Sequence, residues 1–142
     1  MIVLDTNVVS EPLKPAPNTV VLDWLNAQEP QTLYLTTVSL AELHAGVEAL
    51  PAGRRRDALA QALSTQVLAL FGGRILPFDA KAAQAFANAN ASARSQGNKV
   101  GFADCAIGAI ALANGFALAT RNLRDFKGVG VPLIDPWAYA RP

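Results

Sequence analysis

The chain opens with three apolar residues, Ile2, Val3 and Leu4, and then stops at a carboxylate, Asp5. A short apolar run of this kind reads as a buried strand. Pro12, Pro15 and Pro17 follow as a stiff loop. Val20, Val21, Trp24 and Leu25 then recur at helical spacing, and residues 33–37 read as a second strand. Ser39 is expected to start a helix whose Leu40, Leu43, Val47 and Leu50 share a face, with Pro51 and Gly53 ending it. From Arg54 to about Phe71 the spacing predicts another helix, with Leu59, Leu63, Val67 and Leu70 turned inward. Gly72 and Gly73 then lead into a short extended piece at 75–78.

Asp79 is placed to cap an alanine-rich helix that ends near Gly97. Residues 101–115 form a segment apolar nearly all round, the mark of a buried helix. Residues 116–120 and 131–134 read as two further strands. Strands alternating with helices predict an α/β fold with a mainly parallel central sheet flanked by helices. Such sheets bind ligands at the carboxyl ends of their strands.

Composition narrows this only a little. A length of 142 residues suits one domain with a real core. No apolar run approaches a bilayer span, so no membrane segment is expected. No basic stretch precedes Ile2, so no signal peptide is expected either. The single cysteine, Cys105, cannot form an internal disulfide, which fits a reducing cytoplasm. A net charge of +1 gives no bulk argument for nucleic acid and excludes none, since a local patch would suffice.

The chemistry lies in the acids. Taken alone, Asp5 reads equally well as a site residue and as the start of an Asx-turn, because Asp-Thr-Asn is good turn chemistry. Glu42 sits in Ser39-Leu40-Ala41-Glu42, a capping-box pattern, and alone would be read as a cap partner. Asp104 is the only charged residue between Gly101 and Gly115. It falls in the first turn, where the helix dipole favours an anion, but an acid isolated in so apolar an element calls for more. Ala119-Thr120-Arg121-Asn122 closes the strand that follows and by itself is an ordinary polar turn.

Two strand ends and two helix starts belong on one edge of a parallel sheet. Two unit charges ~5 Å apart at an effective dielectric of about 20 repel by roughly 3 kcal/mol. Three such pairs would cost on the order of 10 kcal/mol, comparable to the stability of a whole domain. The acids must therefore be protonated or neutralised by cations. All-oxygen ligands suit Mg²⁺ or Mn²⁺ and not zinc, which favours His or Cys.

The stretches MIVLDTNVVSE, TTVSLAELHAG, GFADCAIGAIALANGFALATRNLRDF and the ending PLIDPW together resemble the PIN-domain ribonucleases. They are most similar to the VapC toxins of bacterial toxin–antitoxin pairs, and among those to the FitB-like group. The resemblance implies one PIN domain over residues 1–142 and metal-dependent hydrolysis of RNA by Mg²⁺ or Mn²⁺. It implies that Asp5, Glu42 and Asp104 hold the metal, Glu42 directly or through water. Thr6 and Thr120 match positions near the site. The fourth acidic position of the family aligns with Asn122, an amide here as in many members. A cognate antitoxin that covers the site, an RNA substrate, a homodimer and a cytoplasmic location are implied as well, with Val8, Val9, Leu13 and Val47 available to an antitoxin or dimer surface.

Other residues have plainer readings. His44, the only histidine, is expected to face solvent or a partner, and Cys105 to be a small core residue. Arg54, Arg55 and Arg56 read as a solvated turn before they read as an RNA contact. Lys99, Arg94 and Arg121 could flank the acids. The alternative function is a PIN-like module that binds RNA or a partner without cutting it. A phosphoacceptor receiver domain needs two adjacent acids after the first strand, and a haloacid-dehalogenase phosphatase needs Asp-x-Asp. Thr6 and Asn7 break both patterns.

Overall fold

The computed structural model describes residues 1–142. Its sheet has five strands in the order β3-β2-β1-β4-β5: β1 (Ile2–Leu4), β2 (Leu33–Thr36), β3 (Ile75–Leu76), β4 (Ala117–Ala119) and β5 (Leu133–Ile134). Every pairing is parallel, with Ile2 opposite both Leu33 and Ala117. The chain builds outward from β1 to β2 and β3, then returns to the other side of β1 for β4 and β5. That reversal leaves a crevice at the carboxyl end of β1, where ligands bind in open α/β sheets.

The helices cover both faces. Helix α1 (Thr6–Ser10) follows β1 directly, where prolines had suggested only a loop; a 3₁₀ turn at Glu11–Leu13 and helix α2 (Thr19–Asn26) come next. Helix α3 (Thr37–Glu48) is capped by Thr36, whose hydroxyl accepts the Ser39 N–H at 3.0 Å. Ser39 is therefore inside the helix and is not its cap, so Glu42 is no capping-box partner. Helices α4 (Arg54–Ala62) and α5 (Leu68–Phe71) are joined by a π turn at Leu63–Val67. The extra residue in that turn rotates everything after it by about 100° relative to α-helical register. Leu63, Val67 and Phe71 face inward in consequence, and Leu70, expected inside, is 49% exposed.

Helix α6 (Ala80–Ser95) is capped by Asp79 as its sequence predicts, the carboxylate accepting the Ala82 N–H at 2.9 Å. Helix α7 (Phe102–Asn114) has seven consecutive buried residues, from Cys105 to Ala111, and ends on Gly115 in the left-handed conformation. Gly108 lets α7 sit close to the next segment: a Cβ there would lie 3.1 Å from Val129.

One apolar cluster packs around Leu4, Val8, Trp24, Leu35, Val67 and Phe71, and a second around Val3, Ile107, Leu118 and Phe126. Burying side chains of this size is the main stabilising term. Val8 and Val9, expected on a partner surface, lie in the first cluster at 0% and 6% exposure. Both are covered because α1 packs against the core immediately after the strand.

Candidate active site

The parallel register puts Leu4 beside Ala119, so the next residues, Asp5 and Thr120, meet at the end of β1 and β4. The Asp5 N–H continues the ladder to the Ala119 carbonyl at 2.9 Å. Its side chain caps α1, with Oδ1 accepting the Thr6 N–H at 2.8 Å. The buried Thr120 hydroxyl donates to Oδ2 at 2.7 Å. Both oxygens are thus oriented, yet each keeps lone pairs for another partner.

Thr6 ties this corner to α3. Its Oγ1 lies 2.6 Å from Glu42 Oε1 and 2.9 Å from Ser39 Oγ. One hydroxyl carries one proton, so when Thr6 donates to the carboxylate, the buried Ser39 must donate to Thr6. Glu42 itself is exposed, on the solvent side of Asp5.

Asp104 enters from the first turn of α7 and is half-buried. Burial, followed by the charges of Asp5, Asp125 and Glu42, pushes its carboxyl up to about 6. Burial also pushes Asp5 up; the Thr120 hydroxyl and Thr6 N–H pull it back, and the charges of Glu42 and Asp125 push it up again. Three acids predicted from separate stretches of sequence therefore share one electrostatic environment. None of the three ion pairs of the protein, Lys14–Glu11, Arg56–Glu48 and Arg141–Asp23, supplies a cation to them.

The fourth acid in this field is Asp125, on the 3₁₀ turn Leu123–Phe126. By sequence alone it is an ordinary acid in a polar turn. Asn122 begins that turn, is exposed, and makes no capping bond with its side chain. Its backbone N–H donates to Thr120 Oγ1 at 3.0 Å, so Asn122 supports the hydroxyl that holds Asp5.

No three acids close into a finished cage. The donor set is nonetheless all oxygen, charged and partly dry, which fits a hard divalent cation. Mg²⁺ keeps several of its waters and needs only one or two carboxylates, so an open cluster suits it.

A groove of about 530 Å³ runs from Thr6 and Glu42 between the Glu11–Leu13 turn and helices α3 and α4, over Leu13, Val47 and Leu63. A concavity of similar volume, about 550 Å³, lies at the far end of α7 around Lys81 and Asn114 and has no acid in its lining. His44 is exposed, away from any acid–base pairing, and Cys105 is fully buried. Burial, then the Asp104 charge, pushes the Cys105 thiol up, away from thiolate chemistry. Arg56 pairs with Glu48 at 2.6 Å, and the Arg121 guanidinium stacks over Trp137 at 5.2 Å.

A parallel α/β domain with unpaired carboxylates at its switch point is the arrangement that the resemblance to PIN domains implies. Residues 2–131 match the model of the PIN domain, and the chain belongs to that family. It is 47% identical to the plasmid stability protein StbB of Pseudomonas syringae pv. tomato, over 96% of this chain and 99% of that protein. It is 45% identical to the VapC ribonuclease Y4jK of Sinorhizobium fredii, over 99% of this chain and 100% of the relative. The toxin FitB of Neisseria gonorrhoeae is 39% identical over 96% of this chain and 99% of its own. The crystal structure of FitAcB from that organism superposes with a TM-score of 0.93, covering 98% of this chain and 100% of the other.

Proposed function

We propose that this chain, as one PIN domain over residues 1–142, is an endoribonuclease toxin of a type II toxin–antitoxin pair. Its site would be Asp5, Glu42 and Asp104 with Mg²⁺ or Mn²⁺. The observation that carries the reading is a buried acid, Asp5, and a half-buried acid, Asp104, both held above the usual carboxylate range by burial and by neighbouring acids, while no lysine or arginine pairs with either. The ribonuclease relative Y4jK and the toxin relative FitB support the reaction and its setting.

Each side chain has a part that follows from its bonds. Thr120 and the Thr6 N–H fix the rotamer of Asp5, so one ligand is set before any ion arrives. Asp104 stands at the border between the core and solvent, ionises late, and supplies the second ligand. Glu42 has one oxygen held by Thr6 and the other free, which suits it to accept a proton from a water or to ligate through one. When bound, the cation activates water and offsets charge on the phosphate and the leaving oxygen. Asp125 adds negative charge at the rim, and on this reading the Asn122 amide hydrogen-bonds a water or a neighbouring carboxylate.

A free nuclease of this kind harms its own cell, so an antitoxin is the partner this reading implies, and FitAcB supports it. The substrate and the partner place the protein in the cytoplasm; no helix is long and apolar enough to cross a membrane. The test is cleavage of unpaired RNA by the purified chain. Cutting with Mg²⁺ or Mn²⁺, lost with Asp5→Asn or Asp104→Asn, is the expected result. Equal cutting in excess EDTA would remove the metal from the account, and tight binding without cutting would make the chain a binding module.

A further inference from the structure

Phe102 is the most solvent-exposed large apolar side chain in the protein, 68% exposed on the first turn of α7. It is not loose. Its ring centroid lies 5.1 Å from that of Phe86 and 6.2 Å from that of Phe78, and those two rings pack edge to face at 6.0 Å. Three aromatic rings so arranged hold one another rigidly and leave the outer face of one uncovered.

The location is specific. The Phe78 N–H donates to Thr37 Oγ1 at 3.3 Å, and Thr37 follows the last residue of β2. The aromatic group therefore stands at the carboxyl edge of the sheet, the edge that carries Asp5. Phe78 follows β3, which lies two strands from β1, a separation of about 10 Å. Phe102 lies two residues before Asp104, about 200° round α7, so the ring stands on the other side of the helix's first turn from the carboxylate.

We propose that Phe102 is a stacking platform for one unpaired base of the RNA whose phosphate lies at the acids, an inference that rests on the ribonuclease reading above. A rigid aromatic face beside a phosphate site suits a base splayed out of a single strand, because every base has a π face and no hydrogen-bond code is needed. The acids would fix where the backbone is cut. Phe102 would select for strands whose bases are free, and reject duplex, whose bases are stacked on one another.

The experiment measures binding of a fluorescein-labelled unpaired RNA, and of the same sequence as a duplex, in Mg²⁺ and an Asp104→Asn background that cannot cut. Phe102→Ala is expected to weaken binding of the unpaired strand about tenfold, the size of one lost stack, and to leave duplex binding unchanged. Phe102→Trp should restore it, and Phe102→Leu, apolar but without a π face, should not. Light scattering and thermal melts of each variant accompany the titration. Unchanged binding by Phe102→Ala overturns the platform. A fall in oligomer mass on that substitution overturns it too, because the ring would then cover a second copy. If the unsubstituted chain fails to cut RNA, the ribonuclease reading itself falls; if it cuts and Phe102→Ala binds as before, only the platform does.

Discussion

Removing the charge of Asp104 should make the metal-free protein more stable, not less. The carboxyl is raised from 3.8 to about 6, first by burial and then by Asp5, Asp125 and Glu42. An acid raised in this way binds its proton more tightly folded than unfolded. Stability therefore falls as pH rises through the window from about 4 to 6, and the loss is complete above it. A shift of about 2 pH units corresponds to about 3 kcal/mol if fully realised. Asp104 is only half-buried, and solvent screening reduces this to about 1–1.5 kcal/mol. The dipole of α7 favours an acid in its first turn by about 0.5 kcal/mol, which Asn forfeits. The net gain of Asp104→Asn at pH 7.5 is about 0.5–1 kcal/mol, or about 2–3 °C in Tm for a chain of this length. Thermal melts of the parent and Asp104→Asn in EDTA, at pH 4.5 and pH 7.5, measure it directly. The variant should melt higher at pH 7.5 and lose that advantage at pH 4.5. With Mn²⁺ present the order should reverse, since the parent alone keeps both ligands. A variant that melts at or below the parent in EDTA at pH 7.5 would refute the idea that these acids repel one another in the folded state.

Thr120→Val removes a buried hydroxyl that serves Asp5 and the Asn122 N–H together, and should lower stability by about 1–3 kcal/mol in urea melts. Asn122→Asp is expected to enlarge the rise in Tm on adding Mn²⁺, and Asp125→Asn to shrink it; an unchanged rise in the first would put Asn122 outside the site. Leu63→Ala, at the π turn and 3% exposed, should cost about 2–5 kcal/mol by the same melts, a larger loss than at exposed Leu70.

The layout of strands and long helices was legible because apolar runs and periodic faces are large signals. The α/β class, the Asp79 cap and the buried helix starting near Gly101 all follow from them. What failed was local. Thr36, Thr37 and Ser39 are all competent caps, and only the strand register decides that Thr36 is the one used. The same error read Glu42 as a cap partner, which concealed that its side chain is bonded instead to Thr6, next to Asp5. A π turn adds one residue without altering composition, so periodicity placed Leu70 inside. Asp5, Asp104 and Glu42 were readable as candidates because charge beside apolar sequence is conspicuous. Asp125 was not, because an acid in an exposed polar turn looks ordinary until the fold carries that turn back to the end of β1.

Asp5 serves the fold as a helix cap and would serve the chemistry as a charge, and these two demands separate cleanly. Asn caps helices as well as Asp does, its amide oxygen accepting the same N–H. Its NH₂ could donate to Thr120, whose hydroxyl need only rotate. If Asp5 has the proposed role, one substitution at position 5 would yield a folded copy without the activity and with the groove beside Thr6 and Glu42 intact. In a cell that carries both forms, the silent copy would not simply be lost. It would occupy the antitoxin as a decoy and leave more of the active form unrestrained.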